Sequence, residues 1–505
     1  MRRYLLPTLS GVLLALALGP WYIWPLAFVA LAPLFYFAQQ PRTRGGLFLG
    51  GCIAGSIGTL PSLYLSLFSL VMQPGAPLFT YAIRASSFLV LMVFSATFGV
   101  VALLYGIGRS KQPLLDSLLA ASLYTVGELF LFTFVSGYYY PSVAHAVASF
   151  PPALIVASLG GVPLVIFVTA WTSAVLVQHS WRLVFGAGLC VAILCTGAYY
   201  YGRLHTTGGA ILPIALIQRH PESLLYVTAP APEPFGDYGL QTLIAEAVQG
   251  GVTPLVVYPF SPAEIIYSGS RPMIEGVVNL VPDAALGAWL KTFAPTSTTV
   301  VLWNTAATEG NLYDEFNVWR DGTEQTYQKH VLYPFSDYLP PWVRALGFAR
   351  LPYTLTPGVA GEATINDVRL EGLFCSELQQ EGYAREQAAQ GDVLLSIGFD
   401  AMFPGAFAGD WSLAAARLRA AENGIPVIRS TISGPSGIVN ADGSIGETTP
   451  YGSEGVMRGA VSVKKIATLY RYAGSAPAYA IMLTTLALVL YRRFWRSRSL
   501  YSADL

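Results

Sequence analysis

The sequence is short of charge. Only 11% of its 505 residues are Asp, Glu, Lys or Arg, less than half the roughly 25% of an ordinary soluble domain. Acids are scarcest at the front, where Asp116 and Glu128 are the only two between Met1 and Gly202. From about Gly209 to Arg471 charged residues return at ordinary density. A wholly water-soluble globule is excluded, and the shift implies two solvents, lipid for the first part and water for the second. Formal net charge is +0, so there is neither a basic stripe for nucleic acid nor an acidic tail.

Cysteine is also rare, with 4 in the chain. Cys52, Cys190 and Cys195 lie in apolar runs, leaving Cys375 as the only thiol of the polar region. That excludes a disulfide framework there. The histidines, His145, His179, His205, His220 and His330, have no zinc-ligand spacing, so no metal site and no cofactor are expected. Internal repeats, low-complexity tracts and long linkers are lacking as well.

What the chain has is long apolar runs. They predict membrane spans at Leu5–Gly19, Trp24–Ala38, Leu47–Leu70, Leu78–Ile107, Leu114–Val135, Pro152–Val177, Leu183–Tyr201 and Ala473–Leu490. Most reach the roughly 17–25 residues needed to cross a bilayer; the first two are short enough for a re-entrant pair. Arg2 and Arg3 precede the first run, but without a clear small-residue cleavage site it is expected to stay as a span. With the amino terminus inside, Arg42, Arg44, Arg109, Lys111, Arg182 and the tail arginines Arg492, Arg493, Arg496 and Arg498 all fall on the cytoplasmic side. The expected organisation is therefore a seven-helix bundle over 1–203, an extracytoplasmic domain over 209–471, an eighth helix over 473–491 and a basic tail over 492–505. Glu128 in the fifth span and Arg84 near the outer end of the fourth each need a partner or a polar cavity.

The polar region alternates strand and helix signals. Ala210–Gln218, Thr253–Tyr258, Thr298–Leu302 and Val393–Ile397 read as buried strands, and Leu240–Val248 and Leu413–Asn423 have helical spacing. This is the pattern of an α/β layered sandwich. Within it Cys375 follows an apolar strand and precedes a helical pattern, a suitable place for a nucleophile. A helix amino terminus and a nearby lysine such as Lys329 both favour the thiolate, and a lysine also stabilises an oxyanion.

Several segments together resemble the apolipoprotein N-acyltransferase family, membrane enzymes carrying a carbon–nitrogen hydrolase (nitrilase-superfamily) domain. The similar stretches are Gly19-Pro20-Trp21, Trp24-Pro25-Leu26-Ala27, Leu31-Ala32-Pro33-Leu34, Glu128 with Gly137–Pro141, Ile214–Gln218, the motif Tyr327-Gln328-Lys329, Cys375-Ser376-Glu377, Arg419-Ala420-x-Glu422, Pro426 and Arg429-Ser430. The resemblance implies a multi-span α-helical bundle plus an extracytoplasmic α-β-β-α sandwich, in the bacterial inner membrane. It also implies a Glu–Lys–Cys triad, of which Lys329 and Cys375 match. The family's Trp-Pro-Glu-Ser reads Tyr258-Pro259-Phe260-Ser261 here, its auxiliary glutamate is Asp337, an asparagine is Phe399 and a tryptophan is Met402.

Phenylalanine cannot accept a proton, so either a substitute base comes from Glu264, one helical turn beyond Phe260, or from Asp337, or Phe260 fills the vacated space and Lys329 holds the thiolate without a dedicated base. Glu377, Tyr327 and Phe260 are the expected substrate-binding residues. The activity implied is transfer of a phospholipid acyl chain through a Cys375 thioester to a lipoprotein amine or another acceptor. The alternative is a catalytically impaired or specialised branch of the same fold, such as the plasmid conjugal-transfer protein TraB.

Overall fold

The structure is a computed structural model. It describes residues 2–65, 78–136, 141–178, 180–204, 209–219, 238–249, 255–258, 298–308, 311–320, 323–334, 337–338, 341, 354–359, 361–400 and 407–501. The chain divides into a helical unit and an α/β unit.

The helical unit holds α1 (Leu5–Ala17), α2 (Trp24–Ala27), α3 (Ala32–Gln39), α4 (Arg44–Leu63), α5 (Leu78–Gly108), α6 (Pro113–Leu131), α7 (Val143–Val147), α8 (Pro151–Leu176) and α9 (Trp181–Leu204). Among the described residues, four stretches are long and apolar enough to cross a membrane: Arg44–Leu63, Phe88–Gly108, Pro113–Phe134 and Pro151–Leu176. The expected second span is broken into α2 and α3, each with a proline in its first turn. Proline there lacks only an N–H that would be unpaired anyway, so it starts a helix rather than continuing one. Helix α8 carries a break at Gly160-Gly161. Gly161 has φ +71, and a side chain there would also collide with the ring of Tyr470. Side chains on Gly51 or Gly55 of α4 would likewise collide with Phe98 of α5, the close approach that small residues permit between membrane helices.

The acid of the fifth expected span has a partner. Glu128 is buried and accepts a hydrogen bond from Ser142 Oγ at 2.7 Å. The same Ser142 caps α7, accepting from the N–H of Ala144 at 3.2 Å. The side chain of Arg84 lies outside the described residues.

The α/β unit is two six-stranded sheets face to face. The first contains β1 (Ala210–Gln218), β2 (Leu255–Tyr258) and β3 (Thr299–Thr308) in parallel, followed by antiparallel β4 (Asn311–Arg320) and β5 (Thr323–Gln328). The second contains β6 (Glu362–Ile365), β7 (Val368–Phe374), β8 (Val393–Phe399), β9 (Val427–Ile432), β10 (Gly437–Val439) and β11 (Ile445–Thr448), with β7, β8 and β9 parallel. The last strand, β12 (Gly455–Val463), returns to the first sheet beside β1. The orders are β12-β1-β2-β3-β4-β5 and β11-β10-β9-β8-β7-β6.

Alternation along the strands sends Leu212, Ile214, Leu216, Val257 and Val301 of the first sheet against Leu370, Phe374, Leu395, Ile397 and Ile428 of the second. Leu373 and Leu394 point the other way, onto α11 (Glu381–Gln390) and α12 (Phe407–Asn423). Helix α10 (Tyr238–Val248) packs on β1, β2 and β12. The result is the expected layered sandwich. Parallel strands buried on both faces explain why those segments read as nearly continuous apolar runs. The chain then returns to the helical unit through α13 (Leu469–Ala473) and α14 (Ala476–Tyr501), which packs on α6 and α8.

Candidate active site

The ends of β5 and β7 lie on facing sheets, and each delivers one reactive side chain. Lys329 is the residue after β5. Its N–H donates to the Asp314 carbonyl at 2.7 Å and its own carbonyl accepts from Gly358 N at 2.8 Å. The backbone is thus pinned from both sides, and the side chain is buried. Its Nζ lies 2.6 Å from Asp337 Oδ2. That oxygen also accepts the N–H of Tyr333 at 2.7 Å, and Asp337 N returns a bond to the Tyr333 carbonyl at 2.9 Å.

Burial works against the Lys329 charge. The negative charges of Asp337, the Cys375 sulfur and Asp314 outweigh it, so the ammonium titrates above the ordinary lysine range. Lys329 is a fixed cation beside the cysteine and unsuited to accept a proton.

Cys375 stands at the other sheet, directly after β7, with φ +44. A non-glycine residue in the left-handed region costs on the order of 1–3 kcal/mol and persists only where surrounding structure enforces it. The enforcement is visible. Phe374, fully buried, packs its ring against Trp303 and Phe316 at centroid distances of 5.3 and 5.2 Å. After Cys375 the chain makes a short 3₁₀ turn, Cys375–Gln379, before α11 begins at Glu381. The helix amino terminus expected at the thiol is therefore displaced by six residues. The Cys375 sulfur does interact electrostatically with Lys329.

One carboxylate joins the two halves. Glu377 is fully buried. Its Oε1 accepts the N–H groups of His330 and Val331 at 2.7 and 2.8 Å, and its Oε2 accepts Phe374 N at 2.7 Å and Tyr327 Oη at 3.0 Å. Two donors come from the lysine loop, one from the cysteine elbow and one from β5. Burial is the largest influence on this carboxyl and pushes its pKa up; the N–H donors and Lys329 pull it back, leaving it above the ordinary range.

The structure thus brings Cys375, Lys329, Asp337, Glu377 and Tyr327 together. Phe260 and Glu264 lie outside the described residues, as do Met402 and the side chain of Phe399. Among the described residues no group of three metal-capable side chains assembles. Two groups that sequence reasoning passed over belong to the site's frame: Asp314, through its charge and its carbonyl, and Tyr383, whose hydroxyl lies 2.6 Å from that of Tyr327. Neither sits in a motif. Tyr383 is half-buried and stands in the polar run EGYAREQAAQ of α11, where nothing in the pattern singles it out.

Comparison with known proteins fits this arrangement. Residues 10–175 match the apolipoprotein N-acyltransferase N-terminal domain, and residues 242–471 match the carbon-nitrogen hydrolase family. The chain carries matches to both domains and is similar along nearly its whole length to apolipoprotein N-acyltransferases. It is 27% identical to the apolipoprotein N-acyltransferase of Azotobacter vinelandii, over 97% of this chain and 95% of that one. It is 24% identical to the enzyme of that name from Haemophilus influenzae, over 98% and 96%. A third, from Pseudomonas paraeruginosa, is 27% identical over 91% and 89%. The first match falls on the apolar helical unit and the second on the double-sheet unit.

Proposed function

We propose that the protein is an inner-membrane N-acyltransferase working through a thioester on Cys375. The observation that carries this reading is the Lys329 ammonium, buried against Asp337 and tied by Glu377 to the strained elbow that bears the thiol. The thiolate attacks the ester carbonyl of a phospholipid acyl chain at the outer face of the membrane. The carbon–sulfur bond forms, the carbon–oxygen bond breaks, and lysophospholipid leaves after taking up the proton the thiol gave away. A neutral amine of a lipoprotein then attacks the thioester; the carbon–nitrogen bond forms, the carbon–sulfur bond breaks, and the proton lost as the amine becomes an amide returns to the sulfur.

Lys329 stabilises both the thiolate and the oxyanion of each tetrahedral intermediate. Asp337 holds that cation in place. With both contacts of its Oδ2 taken, Asp337 is a weaker choice for the proton than Glu264, which is the proposed substitute for the acid replaced by Phe260. Glu377 and Tyr327 act here as positioning residues rather than as substrate contacts, because their polar atoms are engaged within the protein.

The replacement of the family glutamate by Phe260 favours one other reading, a specialised non-catalytic branch of the TraB type. Intact-protein mass after incubation with phospholipid vesicles separates the two. A fatty-acyl increment present in the wild type and absent in Cys375→Ala supports the enzyme. An unmodified wild type whose Cys375 still reacts with maleimide supports the branch. Acylation undiminished in Glu264→Gln removes Glu264 as the base.

A further inference from the structure

The hydrogen bonds around Glu377 continue beyond the carboxylate. Tyr327 donates its only proton to Glu377 Oε2 at 3.0 Å. Its oxygen lies 2.6 Å from the Tyr383 hydroxyl. A phenol has one proton, so the proton in that second contact must come from Tyr383. The direction is then fixed: Tyr383 donates to Tyr327, and Tyr327 donates to Glu377. Each donation polarises the next, which strengthens the bond at the carboxylate.

Tyr383 meets the same frame a second time. Its ring stacks on the His330 imidazole, with centroids 5.6 Å apart and planes 21° off parallel. The N–H of His330 is one of the donors to Glu377, and His330 Nδ1 is 2.8 Å from the Gly358 carbonyl. Tyr383 sits in the first turn of α11, the helix that follows the cysteine elbow. It therefore couples that helix to the lysine loop on the opposite sheet.

We infer that Tyr383 is a positioning residue for the nucleophile, acting through Tyr327 to hold Glu377 as an anion and so to keep Lys329 and Cys375 in register. The inference rests on Cys375 being the nucleophile. The charged neighbours agree with it. Glu377 faces Lys329, while Tyr383 faces Glu377, Glu371 and Glu386. Both phenols are pushed above the ordinary tyrosine range, by burial first and by the Glu377 charge next. They remain protonated, as donors must.

The test is a double-mutant cycle on Tyr383→Phe and Tyr327→Phe, read by maleimide alkylation of Cys375 as a function of pH in the full-length protein in detergent. Tyr383→Phe keeps the ring on His330 and removes only the donor. The expected result is an upward move of the acid limb of the alkylation curve, with about threefold slower labelling on that limb, in line with one neutral hydrogen bond. In a Tyr327→Phe background the same substitution should change nothing further, because the relay is already cut.

A Tyr383→Phe curve that superimposes on the wild type overturns the inference. So does an effect that persists undiminished without the Tyr327 hydroxyl. Alkylation needs no acyl donor, which keeps the two readings separable. A shifted alkylation curve with no acyl adduct on the wild type would remove the acyltransferase reading and leave the relay standing; an acyl adduct with an unshifted curve would do the reverse.

Discussion

Strand β7 and the turn that follows it bury a carboxylate in opposite ways. In the turn Glu377 receives three backbone N–H groups and a phenol, filling both oxygens. In the middle of the strand Glu371 is also buried, yet its Oε1 has no hydrogen-bond partner among the described residues. Glu362 stands directly across from it on β6. The contrast separates two kinds of buried acid. A carboxylate supplied with donors organises the chain around it, while one facing another acid is poised to take up a proton. Glu377 holds the lysine loop and the cysteine elbow together; Glu371 organises neither.

The largest effect should come from removing the organised acid. Glu377→Ala leaves three N–H groups and a phenol buried without their acceptor, and should destabilise the α/β unit by on the order of 3–5 kcal/mol, as loss of a buried charged partner does. Glu371→Ala should cost about 1 kcal/mol, a typical substitution. Thermal unfolding of the two variants in detergent measures both. Equal losses would break the comparison, since Glu377 would then be no more of an organiser than Glu371.

A second, smaller effect concerns reactivity. Removing the ammonium in Lys329→Ala should raise the midpoint of Cys375 alkylation by about one pH unit or more, since a neighbouring cation favours the thiolate. The substitution also strands Asp337, so Lys329→Arg is the companion variant that keeps the charge. A midpoint unchanged in Lys329→Ala would mean that the two side chains are not coupled, and that Glu377 joins two loops with no chemistry between them.

The same contrast explains what was legible in the sequence. The strands β1, β2, β8 and the first half of β3 stand out because both faces are covered, so their residues are mostly apolar. The strands β4 and β5 do not, because Asp314, Glu315, Asn317 and Glu324 alternate with core residues such as Phe316 and Val318. Lys329 and Cys375 were readable as reactive types in a matching motif. Asp337 was readable as an acid, but its role as the holder of Lys329 emerged only from a 2.6 Å contact. The work of Glu377 is written in backbone N–H groups of residues 46, 47 and 3 positions away, which no local pattern records. The helical unit shows the same limit: prolines broke the expected second span into two short helices, although the apolar run itself was plain.

The smallest expected effect is a pH dependence that sharpens the comparison at its other end. Burial, then the charges of Glu362 and Asp392, push the Glu371 carboxyl up to about 7, with Arg369 only partly offsetting them. A carboxyl whose folded-state pKa is raised favours the fold when protonated. Its contribution is fully present below the ordinary carboxylate range and is lost as pH rises through about 7. Glu371→Gln replaces it with a neutral side chain of the same shape, so that loss cannot occur. The variant should match the wild type in thermal midpoint at acid pH and exceed it at pH values above about 7, with the gap opening across that window. Glu377→Gln should behave otherwise. It removes an acceptor that four donors require, and should lower the midpoint at every pH. If the Glu371→Gln gap were the same at acid and alkaline pH, the carboxyl would not be titrating in that window. Glu371 would then have a donor of its own, and the strand's carboxylate and the turn's would differ in degree rather than in kind.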